Sequence, residues 1–157
     1  MFNIDFINFN EDIYKKLLKT SFGKPRKARI NVYPHYNDVI LNDDLIKLVV
    51  VMHDTIIGVV IAKYRYDIDD IKNVYIMTIG TKKEYRQNGI ASLLLQKCCE
   101  LAIDNNCRYI CLHVKADNEN AIKFYEKNDF IQFELLTDFY FIDNNNFDAY
   151  TYYKVLN

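Results

Sequence analysis

Two lysines, an arginine and a glycine gather at Lys82, Lys83, Arg86 and Gly89, where an apolar strand-like run gives way to a helical one. This order of types suits the capture of an anion. A helix N-terminus presents unpaired N–H groups and the positive end of its dipole. A residue without Cβ lets a pyrophosphate come close to the backbone. The pattern Arg86-x-x-Gly89-x-Ala91 is not a P-loop, because no Gly-Lys-Ser/Thr follows, and it lacks the three glycines of a dinucleotide fingerprint. Taken alone, it also fits an ordinary strand-to-helix turn around a glycine. Cys107, Cys111 and His113 form a second cluster of reactive types. One Cys-x-x-x-Cys spacing with no second pair does not complete a tetrahedron, so no metal is expected.

The elements that must position these residues alternate along the chain. A short strand is predicted near Asn3 to Ile7, a helix near Glu11 to Thr20, an irregular loop to Pro34 and a short helix near Asn37 to Leu45. The runs Lys47 to Met52 and Ile56 to Lys63 read as a hairpin turning at His53 and Asp54. A third strand spans Val74 to Ile79. Gly89 opens a helix to about Asn105, with Ile90, Leu94, Cys98 and Leu101 at core spacing. Tyr109 to Val114 is nearly all apolar, as in a strand covered on both faces. A helix from about Asn118 to Lys127 follows, capped by Asp117 or Asn118, and then apolar stretches at Phe130 to Leu136 and Ala149 to Val155, with a turn at Asn144 to Asn146. Strands alternating with helices in the second half imply an α/β (α+β) fold with a partly parallel sheet.

Composition narrows the classes. The 157 residues suit one domain, 1–157, able to bury roughly 70% of the surface of its unfolded chain. Net charge is −1, with 20 basic against 21 acidic residues, so no overall field recruits nucleic acid. The first residues lack a signal-peptide pattern, and no segment has the apolar length of a membrane span. With four cysteines in no disulfide-like framework, a cytoplasmic protein with free thiols is expected. Auxiliary subunits leave no mark in the sequence.

Tyr85-Arg-Gln-Asn-Gly-Ile-Ala-Ser-Leu-Leu-Leu95 resembles the coenzyme A loop of the GNAT acetyltransferases, whose pattern is Gln/Arg-x-x-Gly-x-Gly/Ala. Three further segments, Tyr75 to Gly80, Tyr109 to Val114 and Asn118 to Tyr125, resemble in order and spacing the N-terminal acetyltransferases of the NatE and NatF types within that superfamily. The likeness runs on through Asp129-Phe130 and the tyrosine-rich stretch Phe139 to Tyr153, and is strong from about Tyr33 onward.

The resemblance implies a mixed central sheet, flanked by helices, whose two central strands splay apart to admit acetyl-CoA. The splayed pair would be Tyr75 to Ile79 and Tyr109 to Val114. Strand alternation then puts Tyr75, Met77 and Ile79 on one face, and Cys111 with His113 on one face. By resemblance, Tyr75 and His113 hold a water that deprotonates the acceptor amine, and Tyr125 protonates the leaving thiolate. Met77, Thr78, Ile79, Arg86, Gln87, Asn88, Gly89, Ile90, Ala91, Asn118 and Tyr125 would contact acetyl-CoA, with an oxyanion donor from the main chain near Ile79. Tyr33, Pro34, Tyr36, Tyr75, Met77, His113 and Tyr140 would line the acceptor site. The family's Phe-Pro-Val/Ile-x-Tyr segment is one residue shorter here, at Tyr33-Pro34-His35-Tyr36, which puts a preference for an initiator methionine followed by an apolar residue in question.

The implied activity is acetyl transfer to the α-amine of protein or peptide N-termini by direct attack on the thioester. Its ordinary pKa near 8 leaves that amine partly neutral, so a weak base suffices, whereas a lysine near 10.4 asks for more. The rival readings are a lysine or small-amine acetyltransferase and an inactive acetyl-CoA-binding subunit.

Overall fold

The structure, a computed structural model, describes Asp5–Phe6 and residues 42–157. Seven strands form one mixed sheet in the order β1-β2-β3-β4-β5-β7-β6. They are β1 (Asp5–Phe6), β2 (Leu45–Met52), β3 (Thr55–Tyr66), β4 (Lys72–Thr81), β5 (Tyr109–Lys115), β6 (Ile131–Ile142) and β7 (Asn145–Val155). Helix α1 (Ile90–Asp104) links β4 to β5, and α2 (Glu119–Lys127) links β5 to β6. Neighbouring strands run antiparallel except β4 and β5, which are parallel and joined by the α1 crossover.

The two tight hairpins among the described residues turn on two residues with positive φ, His53 and Asp54 between β2 and β3 and Asp143 and Asn144 between β6 and β7. Positive φ at both central residues is what a two-residue turn needs to match strand twist, and Asp and Asn tolerate it best. The helix predicted near Asn37 to Leu45 is not found over the described part of that span, residues 42–45. Residues 42–44 are a turn in which the Asn42 side chain accepts from Asp44 N at 2.9 Å, and Leu45 already belongs to β2. A short side chain that bonds its own backbone competes with a helix. The predicted helix near Glu11 to Thr20 lies outside the described residues.

Helix α1 buries Ile90, Leu94, Leu95, Cys98 and Ala102. A Cβ at Gly58 on β3 would lie 2.8 Å from Ile90 Cγ2, so glycine there permits the close approach of helix and sheet. Both helices end in a left-handed residue with paired return bonds. At α1, Cys107 N donates to Ala102 O and Asn106 N to Ile103 O, with Asn106 at φ 60. At α2, Phe130 N donates to Tyr125 O and Asp129 N to Glu126 O, with Asp129 at φ 67. This arrangement satisfies terminal carbonyls and brings the residue after the turn back onto the last helical turn. In α2 that contact is Phe130 on Tyr125, their rings 5.7 Å apart.

Two irregularities shape the middle of the sheet. Strands β4 and β5 pair only at Asn73, Val74 and Tyr75, opposite Tyr109, Ile110 and Cys111. Beyond that point β4 keeps its ladder with β3 and β5 keeps its ladder with β7, so the two part. The second is a bulge: Ile76 pairs with Ala62 but Thr78 pairs with Ile61, which leaves Met77 as an extra residue. One extra residue reverses the inside-outside order of everything after it. The expectation that Tyr75, Met77 and Ile79 share a face is therefore overturned. Ile79 opposes Val60 and packs on the core cluster that includes Ile76, on the face away from Tyr75.

Candidate active site

Tyr75 and His113 meet where β4 and β5 part. Tyr75 is the last β4 residue with a partner on β5, and His113 stands two residues beyond that partner, Cys111, on the same face. Tyr75 Oη lies 2.9 Å from His113 Nδ1, a direct hydrogen bond with no water between. Burial raises the Tyr75 phenol above its ordinary pKa, opposed by the Arg65 guanidinium. Burial lowers the His113 pKa, and the Arg65 charge lowers it further. Both groups are thus neutral near pH 7, the state in which a phenol proton can rest on an imidazole nitrogen.

The histidine is held from several sides. Phe139 packs on its ring at 4.4 Å, and the Tyr140 hydroxyl donates to its carbonyl at 3.2 Å. Tyr140 thus ties β6 to β5 beside the pair. Tyr125, buried in α2, has its phenol pushed upward first by burial and then by the fields of Tyr140 and Tyr75. A neutral phenol is the form able to donate a proton. Met77, Thr78 and Ile79 lie on β4 past its last partner on β5, with only β3 paired beside them.

The loop from Thr81 to Ala91 has the shape its residues suggest. A single 3-10 turn at Lys83–Tyr85 precedes Arg86, whose Nε donates to Thr81 O at 3.2 Å. Gln87 and Gly89 both take positive φ, 63° and 75°. Asn88 braces the turn by donating to the Tyr85 and Arg86 carbonyls. Gly89 is the α1 N-cap, with no side-chain hydrogen bond to the helix and no acidic residue in the first turn. A Cβ added at Gly89 would meet nothing within 4 Å, so its need for glycine is conformational and the space above it is open. Thr81 Oγ1, at the mouth of this loop, is buried with no partner among the described residues. An uncapped helix start, open space over its glycine and an orphaned buried hydroxyl fit a phosphate-bearing ligand. Beside the same terminus a cavity of about 450 Å³ is lined by Gly89, Ser92, Gln96, Lys127 and Lys154, and by neither Tyr75 nor His113.

Asn118 caps α2, its side-chain oxygen accepting from Ala121 N at 3.2 Å. Tyr33, Pro34 and Tyr36 lie outside the described residues. No three His, Cys, Asp or Glu residues gather as metal ligands among the described residues, and Cys111 instead accepts from Arg65 Nη2 at 3.0 Å. Among the described residues no helix is long and apolar enough to cross a membrane.

Three residues that matter here stand in no motif or spacing that assigns them a role. Arg65 on β3 reaches across to Tyr75 and Cys111. Asn73, wholly buried, accepts from Arg65 Nε at 2.9 Å. Phe139 covers the imidazole. The first two face each other only through the β3–β4 register, although a lone arginine after the apolar run Ile56 to Ala62 is a visible departure.

Residues 11–130 match the model of the acetyltransferase (GNAT) family. N-alpha-acetyltransferase 60 of Xenopus tropicalis is 32% identical over 140 residues, which span 78% of this chain and 58% of that protein. The chain thus spans little more than half the length of this curated relative. Among solved structures, Arabidopsis thaliana NAA60 in complex with a bisubstrate analogue superposes with a TM-score of 0.82 at 27% identity, over 99% of each chain. Arabidopsis thaliana Naa50 in complex with the bisubstrate analogue CoA-Ac-MVNAL does so with a TM-score of 0.71 at 25% identity, over 96% of this chain and 97% of that one. With its parted central strands and its Arg86 to Ala91 loop, the chain belongs to the GNAT acetyltransferase family.

Proposed function

We propose that the chain transfers the acetyl group of acetyl-CoA to the free α-amine at the N-terminus of a protein or peptide. The observation that carries this reading is the 2.9 Å contact between Tyr75 Oη and His113 Nδ1 at the parting of β4 and β5. The amine proton is taken at the Tyr75 oxygen, directly or through one water, as the phenol proton passes to Nδ1. This leaves a neutral phenol and an imidazolium. A pair of neutral groups is a modest base, matched to an amine that titrates near 8 rather than to a lysine. Likeness to structures that hold bisubstrate analogues supports the same choice.

Acetyl-CoA supplies the activated thioester carbonyl. Its pyrophosphate is assigned to the main chain of Gln87 to Ala91 with Arg86 beside it, and its pantetheine arm to the β4 edge at Met77 to Ile79 and to Asn118. Main-chain N–H groups of that β4 edge are the donors for the developing oxyanion. Tyr125, kept neutral by burial, is assigned the return of a proton to the departing thiolate. Tyr140 stands at the acceptor side, with Tyr33, Pro34 and Tyr36 assigned there by resemblance. The reading treats residues 1–157 as one domain. Four free cysteines suit the cytoplasm.

A peptide array with free and acetyl-blocked N-termini, some carrying internal lysines, tests the proposal. Free N-termini are expected to react and blocked ones to stay silent. Faster reaction of blocked peptides bearing lysine would replace this reading with lysine acetylation.

A further inference from the structure

Arg65 is an exposed residue on the sheet face that carries Tyr75 and His113, yet its guanidinium is not free to wander. Its Nε donates to Asn73 Oδ1 at 2.9 Å and its Nη2 to Cys111 Sγ at 3.0 Å. Asn73 is itself wholly buried and fixed, its Nδ2 donating to the Ile71 carbonyl at 3.1 Å. Among the described residues, Asp67 feels the Arg65 charge, and it is engaged by the Tyr109 hydroxyl at 2.8 Å and by the N–H groups of Ile71 and Asp69. With its fork held on two strands, the guanidinium carbon lies 4.5 Å from the centroid of the Tyr75 ring. A cation over a phenol ring is attracted by the ring's negative face, and a planar fork fixes that geometry as a flexible ammonium cannot.

We propose that Arg65 is a positioning residue of the Tyr75–His113 pair: clamped by Asn73 and Cys111, its guanidinium caps the Tyr75 ring, holds the phenol on His113 Nδ1 and keeps the imidazole neutral. This rests on the role given to that pair under the proposed function. Among the described residues, the titratable and charged groups on this face around the imidazole are Tyr75 on β4, Arg65 and Lys63 on β3, with Lys63 opposite Tyr75, Cys111 and Lys115 on β5, Tyr153 on β7, and Tyr140 and Glu134 on β6, Glu134 meeting Thr151, the partner of His113, with Tyr125 on α2 beyond Tyr75. Lys115 is occupied, its Nζ 2.9 Å from Asp117 and 3.5 Å from the centroid of the Phe147 ring. Arg65 is therefore the fixed, permanently charged group of this set that lies on Tyr75. A positive charge there opposes an imidazolium, in line with the lowered pKa of His113. Removing the charge lets the imidazole take a proton at higher pH, so the competent neutral form is lost earlier on acidification.

The test uses the full chain and the substitutions Arg65→Gln and Arg65→Lys. Three histidines make the imidazole signals separable by NMR, and exposed His53 serves as internal reference. In Arg65→Gln the His113 midpoint should rise by about half to one pH unit, while His53 stays fixed and Arg65→Lys remains within a few tenths of the parent. In parallel, kcat/KM for acetylation of a peptide N-terminus should fall about 2- to 8-fold at pH 5.5 and hardly at all at pH 8.5 in Arg65→Gln, with KM for acetyl-CoA unchanged and substantial rescue in Arg65→Lys. A His113 midpoint that does not move, or that moves together with His53, overturns the proposal. So does a loss equal at both pH values or equal in the two variants. If the parent chain acetylates no N-terminus, the proposed function fails while the NMR titration still decides the placement of Arg65 on the pair.

Discussion

Helix α1 starts at a glycine with no side chain to cap it, whereas α2 starts at Asn118, whose side-chain oxygen closes onto Ala121 N. The two helices leave the same strand pair and face the same chemical problem, since each first turn has N–H groups without intrahelical partners. In α2 the chain solves it locally, with an Asn cap and Glu119 in the first turn to meet the dipole. In α1 it is left open, next to Arg86 and two lysines and without an acid. Cap chemistry thus distinguishes a terminus closed by its own side chain from one left open for the anion proposed there.

That contrast breaks most severely if Gly89 is given a β-branched side chain. Gly89→Val forces valine into positive φ at about 1–3 kcal/mol and displaces main-chain N–H groups whose bonds to a charged ligand contribute about 1.5–3 kcal/mol each. Affinity for acetyl-CoA should drop roughly a thousandfold by calorimetry, in a protein whose circular dichroism remains native. An undiminished affinity would show that the open terminus holds nothing.

Chemistry should separate cleanly from that binding. His113→Ala is expected to lower kcat by about 100-fold with acetyl-CoA affinity unchanged, because the role proposed for the imidazole concerns the acceptor's proton and not the α1 terminus. In the parent, the His113 midpoint in an NMR titration should fall below the ordinary histidine value of 6.5, since burial and the Arg65 charge lower its pKa and the neutral imidazole persists to lower pH. A midpoint above that value would contradict the assignment.

Smaller effects sharpen the α2 side of the comparison. Tyr125→Phe should cost roughly tenfold in kcat, less than loss of the base, because a thiolate departs readily without full protonation. Asn118→Ala should lower stability by about 1 kcal/mol in a denaturant titration. Its effect on acetyl-CoA affinity should be far smaller than that of Gly89→Val, and a comparable loss would make α2 a second ligand terminus.

How much of this the sequence reveals depends on how local each feature is. The Arg86 to Ala91 loop is legible because its glycine, its charges and the helix it opens are consecutive. Most strands and helices of the described region fall within a few residues of their predicted ends, since apolar periodicity and asparagine stops mark them. But β6 runs past the predicted Leu136 to Ile142, and β7 already begins at Asn145 inside the predicted turn Asn144 to Asn146, because the hairpin turns on Asp143 and Asn144. Tyr75 and His113 stand 38 residues apart, and only the resemblance brought them together before the 2.9 Å contact did. Arg65 and Asn73 were invisible because cross-strand register, not spacing, makes them neighbours. Met77 gives no warning either: a bulge within Ile-Met-Thr-Ile looks like uninterrupted strand, and alternation carried through it put Ile79 on the wrong face.

The three residue pairs that join β4 to β5 have a mechanical meaning. They are the stitches of a seam between two plates, one made of β1 to β4 and the other of β5 to β7. Above the last stitch, edge amides of β4 from Ile76 to Gly80 have no strand on the β5 side, and neither plate must break a rung of its own for the gap between them to widen. A linear molecule with amide groups of its own, laid along that edge, acts as a removable stitch. Occupancy then becomes a property of the sheet as well as of the site: solvent exchange at these amides slows as the gap is filled, and the two plates gain stiffness that the polypeptide by itself does not supply.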